Sequence, residues 1–428
     1  MIEMMVPGED AEIGVRVYKT SSPPLTGRIK ARLEDFAVKE KISPQLLASL
    51  RRLRSPTHRI QVYCAVRVGV DTLTLARIIN FHSRIPRSRL RFLGLKDSRA
   101  VSSQIFSVVD GRKVPESIGG LSLLGWSEKI PSKESLMGND FSVFIRNFEV
   151  SSQDVSNRLS RFIEELNVES LPNFYGYQRF GTYRRITHLV GKKIVTGEFK
   201  EAVMLYLTYT TPYEPEETRG WRKSLRDTGD LEGALKSAPK PLFYERKMLR
   251  ELVKRPESYL KAIRSLPITL RRLFVNAFQS YLFNLVLSRR IREDMPITEP
   301  VIGDFVYDPI GSKIMRHRQR DRDSHHLMVA IPLFGYGYRS SEGRQGDIER
   351  DVLKEAAVTT RSFFVKEMHE LSGKGGFRKA DLDLDKLLFT HDIESNVVCS
   401  SFTLQRGQYA TILLRELIKP SNPLQQGF

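Results

Sequence analysis

Alternating hydrophobic and polar residues mark several segments in the first third of the chain. The alternation predicts strands over residues 28–40, 60–68 and 141–146, because every second side chain of a half-buried strand faces the same side. A further strand is predicted after residue 97, where Phe106 and Val108 alternate with their neighbours. These segments indicate a strand-rich N-terminal part.

Apolar residues at helical spacing occur between and after these strands. Asp71 is suited to cap a helix that reaches about Phe81, and residues 151–166 are predicted to form a helix with its apolar residues on one face. From about residue 171 the helical spacing dominates. The further predicted helices are 185–195, 199–209 and 270–292.

The remaining segments are interpreted from their composition. Residues 211–241, rich in polar, Gly and Pro residues, are predicted to form a loop, and residues 300–345, in which turns separate short apolar pieces, to form strands. Alternation returns from residue 396, so we expect the C-terminal segment to complete the first domain. Because strands and helices mix without regular alternation, the predicted class is α+β rather than a doubly wound sheet.

Composition narrows the classes of protein and partner. At 428 residues the chain is long for one core, so two domains are expected, and two cysteines are too few for a disulfide framework or a cysteine metal site. The net charge of +18 indicates an acidic partner, of which nucleic acid is the commonest. A membrane surface is the alternative, but no apolar run approaches the roughly 20 residues of a spanning helix. The first ten residues lack the basic start and apolar stretch of a signal peptide, so a cytoplasmic location is expected.

One carboxylate has surroundings that suit chemistry. Asp97 lies between Lys96 and Arg99, just downstream of the arginine-rich run 84–91. Flanking cations keep a carboxylate ionised, so that it can act as a nucleophile at neutral pH. The positive field around it suits an anionic polymer as substrate. The alternative is an ordinary surface turn with a solvated Asp.

The residues around Asp97 match a family signature, and four other segments match the same family in the same order. The signature Gly-x-Lys-Asp, followed by Ala, Thr and Gln, corresponds to Gly94, Lys96, Asp97, Ala100, Ser102 and Gln104, with Ser in place of Thr. The other segments are 29–36, 138–141, 172–181 and 407–411, the last followed by Arg415-Glu416. The departures are Leu33 for the usual Pro, a swapped aromatic pair at Phe174-Tyr175, and Tyr409 for Phe. From residue 29 to 416 the chain resembles the TruD family of tRNA pseudouridine synthases, in its archaeal type.

The resemblance implies a fold and a domain plan. The family fold is a pseudouridine-synthase catalytic core with a mixed, mainly antiparallel sheet, interrupted by a largely helical α/β insertion domain. In this chain the plan corresponds to residues 1–170 and 391–428 for the core, with residues 171–390 as the insertion. Composition alone says only that the middle of the chain differs from its ends.

The resemblance also implies an activity and a set of site residues. The activity is the isomerisation of a uridine, in the family uridine 13 of tRNA, to pseudouridine, with no metal or other cofactor. It places Asp97 in the role of nucleophile, with Lys30 as the cation that pairs with it. The uracil-pocket positions correspond to Phe36, Asn139, Phe141 and Tyr409. We expect contacts with RNA from Arg87, Arg89, Arg91 and Arg179. The expected partner is tRNA, and neither a membrane nor an obligate protein partner is implied.

Each of these residues also has a structural alternative. Without the resemblance, Lys30 would be a surface lysine, the three aromatic residues would be core side chains, and Asn139 would be a turn residue. The aromatic residues of segment 173–181 would either contact RNA or pack inside a rigid turn between domains. We favour RNA proximity for Arg179.

Two charged segments and two rival functions remain open. The spacing of His and Asp in segment 316–326 matches no metal-ligand pattern, so a solvated charged loop is favoured and phosphate contact comes second. The Gly-rich segment 373–379 is either a mobile phosphate contact or a flexible loop. A non-catalytic RNA-binding or RNA-folding protein on the same fold is the alternative function. A metal-dependent nuclease would require clustered carboxylates, which we do not find.

Overall fold

In the computed structural model, helices surround two β-sheets; the structure describes residues 5–94, 96, 99–109, 113–115, 118–318 and 326–428. The strands are β1 (Phe36–Ile42), β2 (Ile60–Val68), β3 (Leu90–Phe92), β4 (Val101–Val108), β5 (Leu121–Ser127), β6 (Leu136–Ile145), β7 (Phe305–Asp308), β8 (Lys313–Arg316), β9 (Met328–Leu333), β10 (Gly376–Lys379), β11 (Leu384–Asp392) and β12 (Val397–Gln405). The helices are α1 (Gly8–Glu12), α2 (Pro44–Ser49), α3 (Thr72–Ser83), α4 (Ser152–Leu166), α5 (Thr187–Val195), α6 (Phe199–Thr208), α7 (Glu216–Thr228), α8 (Leu231–Ser237), α9 (Phe243–Lys254), α10 (Tyr259–Arg264), α11 (Ile268–Arg292), α12 (Gly343–Glu355) and α13 (Ala410–Ile418).

The larger sheet joins the two ends of the chain. Its eight strands follow the order β11–β12–β6–β1–β4–β2–β5, with β3 paired to β4. Strands β1 and β4 run parallel, and the other neighbouring pairs are antiparallel. This mixed, mainly antiparallel sheet, together with the helices, confirms the predicted α+β fold. The division into residues 1–170, 171–390 and 391–428 stays a prediction.

The middle of the chain is mainly helical and is built around α11. Buried residues lie on all sides of this helix, as expected for a helix in the centre of a core. The smaller sheet, in the antiparallel order β10–β9–β7–β8, packs beside it through β9. One continuous hydrophobic core contains residues of α11, of β6 and of α13, so both parts of the chain share it.

Local sequence signals position several elements as predicted. The strand over residues 60–68 is confirmed as β2, and the 300–345 strands as β7, β8 and β9. The Asp71 carboxylate caps α3 by accepting hydrogen bonds from the backbone N–H groups of Leu73 and Thr74. Ser151 caps α4 in the same way through the N–H of Asp154.

The predicted loop over 211–241 is wrong, because it contains α7 and α8. Pro215 and Gly229 bound helix α7, and Gly220 lies within it without interrupting it. Pro215 precedes the first turn, and Gly229 follows the last turn in the left-handed conformation with φ of 66°. Trp221 and Leu225, four positions apart, are buried on one face and hold the otherwise charged helix against the core.

The strand predicted over residues 28–40 begins only at Phe36. Residues Leu33–Asp35 form a short 3₁₀ helix, and Asp35 stabilises it by accepting a hydrogen bond from the backbone N–H of Arg32. The other Asp35 oxygen lies 2.8 Å from Arg146 Nε at the end of β6. This buried carboxylate therefore turns the chain just before the strand.

Two further observations concern charge and membranes. In the charged segment 316–326, residues 319–325 lie outside the described residues, whereas Arg316 ends β8 and forms an ion pair with Glu342.

No helix in the part of the chain that the structure describes is long and apolar enough to cross a membrane.

Candidate active site

Strand register brings the predicted pocket residues to one face of the larger sheet. In the β1–β6 pair, Val38 lies opposite Phe141, and Glu40 lies opposite Asn139. Residues directly opposite each other share a face, and so do residues two apart on one strand. Phe36 therefore lies on this face with Val38, although Phe141 is more than a hundred residues further along the chain.

A cavity of about 240 Å³ lies over this face. The predicted residues that line it are Lys30, Phe36, Asn139, Phe141 and Tyr409. Lys96 and Arg99, the two cations on either side of Asp97 in sequence, line the same cavity. Its volume is just below the range of about 300–1,000 Å³ typical of small-molecule sites, so it has room for one base and little more.

Asp97, the predicted nucleophile and predicted partner of Lys30, lies outside the described residues. The Lys30 ammonium lies 4.7 Å from the centroid of the Phe36 ring, a cation–π contact at the edge of the cavity. Lys30 has a positive φ of 52°, an uncommon conformation that directs the residue toward the site from a turn rather than from a strand.

Lys96 orients the Asn139 amide. The Lys96 ammonium donates a hydrogen bond to Asn139 Oδ1 and lies 3.4 Å from Glu40 Oε1. An ammonium group can only donate, so the amide oxygen faces Lys96 and the Nδ2 amino group is left for a bound base. Uracil has two carbonyl oxygens that accept such a bond.

Glu40 is a buried carboxylate beneath the cavity. Its Oε2 atom accepts a hydrogen bond of 2.7 Å from the backbone N–H of Ile105, and burial raises the pKa of Glu40, an effect that Lys96 opposes. A Cβ at Gly94 would lie 3.0 Å from Glu40 Oε1, so glycine at this position makes room for the carboxylate.

A buried hydrogen-bond network holds the loop that carries Lys96. The Thr72 hydroxyl accepts hydrogen bonds from the Lys96 backbone N–H at 2.8 Å and from Arg67, and donates to Gln104. Gln104 in turn donates to the carbonyl of Gly94 at 2.5 Å. Ser102 accepts from Arg67 Nε at 2.9 Å. Ser102 and Gln104, two residues of the family signature, thus belong to the buried network that holds the loop with Gly94 and Lys96 in place.

The aromatic rings line one side of the cavity. Phe36 and Phe141 meet edge to face, with ring centroids 6.0 Å apart and an interplanar angle of 71°. A base between two parallel rings needs about 7 Å between them, twice the separation of atoms in contact. Phe36 and Phe141 are therefore too close together and too steeply inclined to enclose a base between them.

Tyr409 is supported by residues of segment 173–176, in which the Tyr175 ring meets the Tyr409 ring edge to face at 6.1 Å. A Cβ at Gly176 would come within 3.0 Å of the Tyr409 ring, so only glycine allows this approach. Arg378 is hydrogen-bonded to the Asn173 carbonyl at 3.0 Å and stacks on Tyr175 at 4.0 Å from the ring centroid. Arg378 belongs to strand β10 and is held by these contacts. The flexible-loop alternative for the Gly-rich segment 373–379 is therefore wrong for residues 376–379.

The arginines expected to contact RNA lie outside the cavity. Arg87, Arg89 and Arg91 are exposed near the end of β4, since Leu90 pairs with Val108 there. The cavity lies at the other end of the same strand, about 25 Å away at the rise of a strand. Arg179 donates to Ser280 Oγ at 3.0 Å and faces the Tyr175 ring. Three aromatic residues of segment 173–181 are buried: Phe174, Tyr177 and Phe180. Their burial agrees with the alternative in which these rings pack inside a rigid turn instead of contacting RNA.

Sequence reasoning missed Glu40, and it noted Lys96 as a flanking charge and a signature residue but gave it no role in the pocket. One signal was present: Phe36, Val38 and Glu40 occupy alternate positions of a predicted strand, so that an acid occurs on an otherwise apolar face. A buried acid requires a cation or hydrogen-bond donors. Arg67 and Thr72 had no comparable signal.

A cavity lined by aromatic rings and cations, of a size for one base, on a strongly basic α+β fold, defines a nucleic-acid-binding protein with a single-base pocket. The family model of TruD, tRNA pseudouridine synthase D, matches residues 12–417. Proteins named "Probable tRNA pseudouridine synthase D" are similar to this chain over nearly its whole length. The one from Methanosarcina mazei is 34% identical, with 99% of this chain and 100% of the relative covered, and the one from Pyrobaculum islandicum is 34% identical with both chains fully covered.

A solved crystal structure gives the same result. It is that of a Methanosarcina mazei protein assigned to tRNA pseudouridine synthase D (TruD), which superimposes with a TM-score of 0.79 at 33% identity, covering 99% of this chain and 100% of that one. The chain therefore belongs to the TruD family of tRNA pseudouridine synthases, and the predicted family and enzyme class are confirmed.

Proposed function

We propose that this protein converts uridine 13 of tRNA to pseudouridine, with Asp97 as the nucleophile. Lys30 pairs with Asp97, while Phe36, Asn139, Phe141 and Tyr409 hold the uracil. One observation carries the proposal: residues between positions 30 and 409 line one cavity with both cations that flank Asp97 in sequence. A non-catalytic protein can bind RNA through an exposed basic surface, without a base-sized cavity of this kind.

The chemistry explains why such a pocket is needed. The reaction breaks the bond between C1′ and N1, turns the base and joins C1′ to C5, which then loses its proton. The target base must leave its stack, so aromatic surfaces and an amide donor have to replace the contacts that it loses. The carboxylate adds either to the base or to the sugar carbon, and both routes require an ionised Asp.

The experiment is pseudouridine mapping on tRNA treated with the purified protein. Transcripts with uridine at position 13 should acquire pseudouridine there, and matched transcripts with cytidine at that position should acquire none. Pseudouridine at another position would contradict the assigned target. A protein that binds tRNA but modifies no transcript would be better described as an RNA-binding protein on this fold.

The three exposed arginines are expected to contribute to the salt dependence of tRNA binding. Each neutralised phosphate releases counterions and steepens the plot of log affinity against log salt by about 0.7 to 0.9. The triple change of Arg87, Arg89 and Arg91 to Ala should flatten this slope by about 2 if these side chains contact the backbone. The matched control is the triple Ala variant of the exposed Arg226, Arg250 and Arg255. Equal slopes for both variants would contradict an RNA contact.

Glu40 is expected to act as a positioning residue through Lys96. The Glu40→Gln variant keeps the shape but removes the charge that holds the ammonium over Asn139. A small displacement of positioned groups costs up to about a hundredfold in rate, so kcat should fall about ten- to a hundredfold with little change in KM for tRNA. The exposed Glu128→Gln variant is the control. A change in KM alone would contradict a positioning role.

A further inference from the structure

A second cavity opens directly from the candidate uracil pocket. Its volume is about 280 Å³, and it shares four lining residues, Lys30, Arg99, Gln178 and Thr411, with that pocket. Thr182 and Tyr183 line its far side and also line a larger, more open cavity of about 850 Å³. The three cavities therefore form one groove that leads outward from the pocket.

The charge of this groove suits a phosphate chain. Among the described residues that line the second cavity, the charged side chains are the two cations Lys30 and Arg99 and the carboxylate Asp71. The Asp71 carboxylate is already used as the cap of α3, where it accepts three hydrogen bonds from residues 73 and 74. Its charge is thus largely compensated by the helix, and Arg99, the cation that the proposed Lys30–Asp97 pair does not use, gives the groove a positive field.

Tyr183 presents an exposed ring in the middle of the groove. Its exposed fraction is 47%, so the ring is accessible to a ligand in the groove. The Tyr183 hydroxyl accepts a hydrogen bond of 3.1 Å from Arg99, and the Tyr183 carbonyl accepts one of 2.9 Å from Thr211. Both contacts hold the ring in place, so little ordering is needed when a ligand stacks on it.

We propose that this groove binds the nucleotide next to the target uridine in an unpaired RNA strand. Its base stacks on the Tyr183 ring, and Arg99 contacts the phosphate between the two nucleotides. The argument rests on the proposed function, because the neighbouring nucleotide is defined by a uridine in the first pocket. An exposed ring beside a cation at the mouth of a base pocket is the arrangement that single-stranded RNA recognition uses.

The test combines two variants with single-stranded RNA probes of about nine nucleotides, within the range of known binding sites. The probes carry a central uridine flanked by normal nucleotides, or by an abasic ribose on the 5′ or the 3′ side. Loss of base stacking by alanine substitution costs about five- to a hundredfold in affinity, so Tyr183→Ala should weaken binding of the normal probe by that factor. Tyr183→Phe keeps the ring and should bind within about twofold of wild type.

The abasic probes identify the contact. With the probe that lacks the stacking base, wild type and Tyr183→Ala should bind equally, since neither can stack. On tRNA, Tyr183→Ala should raise KM while kcat at saturation stays within about twofold of wild type. The matched control is Tyr336→Ala, a ring of 48% exposure that lines none of these three cavities and should change neither constant.

Several outcomes would overturn the groove proposal. If Tyr183→Ala and Tyr183→Phe lose RNA affinity equally, the Tyr183 hydroxyl matters only because it holds Arg99 in position, and the ring does not stack on a base. Losses that are the same for normal and both abasic probes would show that no base stacks there. A different outcome is that wild type forms no pseudouridine while Tyr183→Ala still weakens binding of the normal probe and not of the probe that lacks the stacking base. In that case the proposed function fails and the groove proposal is supported. If pseudouridine forms and Tyr183 has no effect, only the groove proposal fails.

Discussion

Replacing Asp97 by asparagine should abolish pseudouridine formation, lowering the rate more than about a thousandfold. The amide has the same shape as the carboxylate but cannot act as a nucleophile at neutral pH. Affinity for tRNA should stay within a few-fold of wild type, because the surrounding cations and rings are unchanged. The measurements are single-turnover pseudouridine formation and a tRNA binding isotherm under the same salt conditions.

The exposed Asp227→Asn variant is the control for a general effect of removing a carboxylate. It should leave rate and affinity unchanged. Turnover by the Asp97 variant above about a thousandth of wild type would refute the nucleophile assignment, and a parallel loss of binding would point to a role in RNA affinity.

Replacing Arg415 by methionine should destabilise the fold by about 3–5 kcal/mol, the cost of breaking a buried ion pair. The Arg415 guanidinium in α13 donates to Asp10 at 2.6 Å and to Glu416 at 2.8 Å. The three charged side chains are almost fully buried. Methionine fills much of the space but leaves two carboxylates without their cation, which is more costly than losing the attraction alone.

Denaturant unfolding at neutral pH measures this effect. The exposed pair of Arg226 and Asp227 provides the control, since Arg226→Met should change the free energy of unfolding by less than about 0.5 kcal/mol. If Arg415→Met cannot be purified folded, Tyr177→Phe removes only the hydrogen bond to Asp10 and should cost about 1–3 kcal/mol. Equal stability of wild type and both variants would show that this cluster does not contribute to the free energy of unfolding.

The order of these elements explains why the cluster is structurally important. Asp10 precedes the sheet, and Glu416 accepts hydrogen bonds from the backbone N–H groups of Lys19 and Thr20 at 2.9 and 3.1 Å. Tyr177 comes from the segment that also holds Tyr409, and burial raises the pKa of Tyr177 well above its usual range. Destabilising this cluster is therefore expected to disorder the pocket as well as the fold.

The sequence by itself determined the local elements and the family of the protein. Strand β2, the Asp71 cap of α3 and the end of α5 at Val195 follow from contacts within a few residues, which a local pattern reports. The five ordered segments identified the family because they combine glycines, a carboxylate and aromatic residues that local structure alone does not require. Composition identified an acidic partner, since net charge does not depend on the fold.

Only the tertiary structure decided how distant residues meet. The β1–β6 register puts Asn139 opposite Glu40, and Lys96 then orients its amide. Helix α7 forms because Trp221 and Leu225 pack into the core, although the Pro and Gly content of segment 211–241 indicated a loop. For the same reason Arg378 becomes a half-buried support of Tyr175, and Tyr183 presents an exposed ring. Burial and strand register are set by partners far away in sequence, and a pattern read along one chain contains no information on which partners these are.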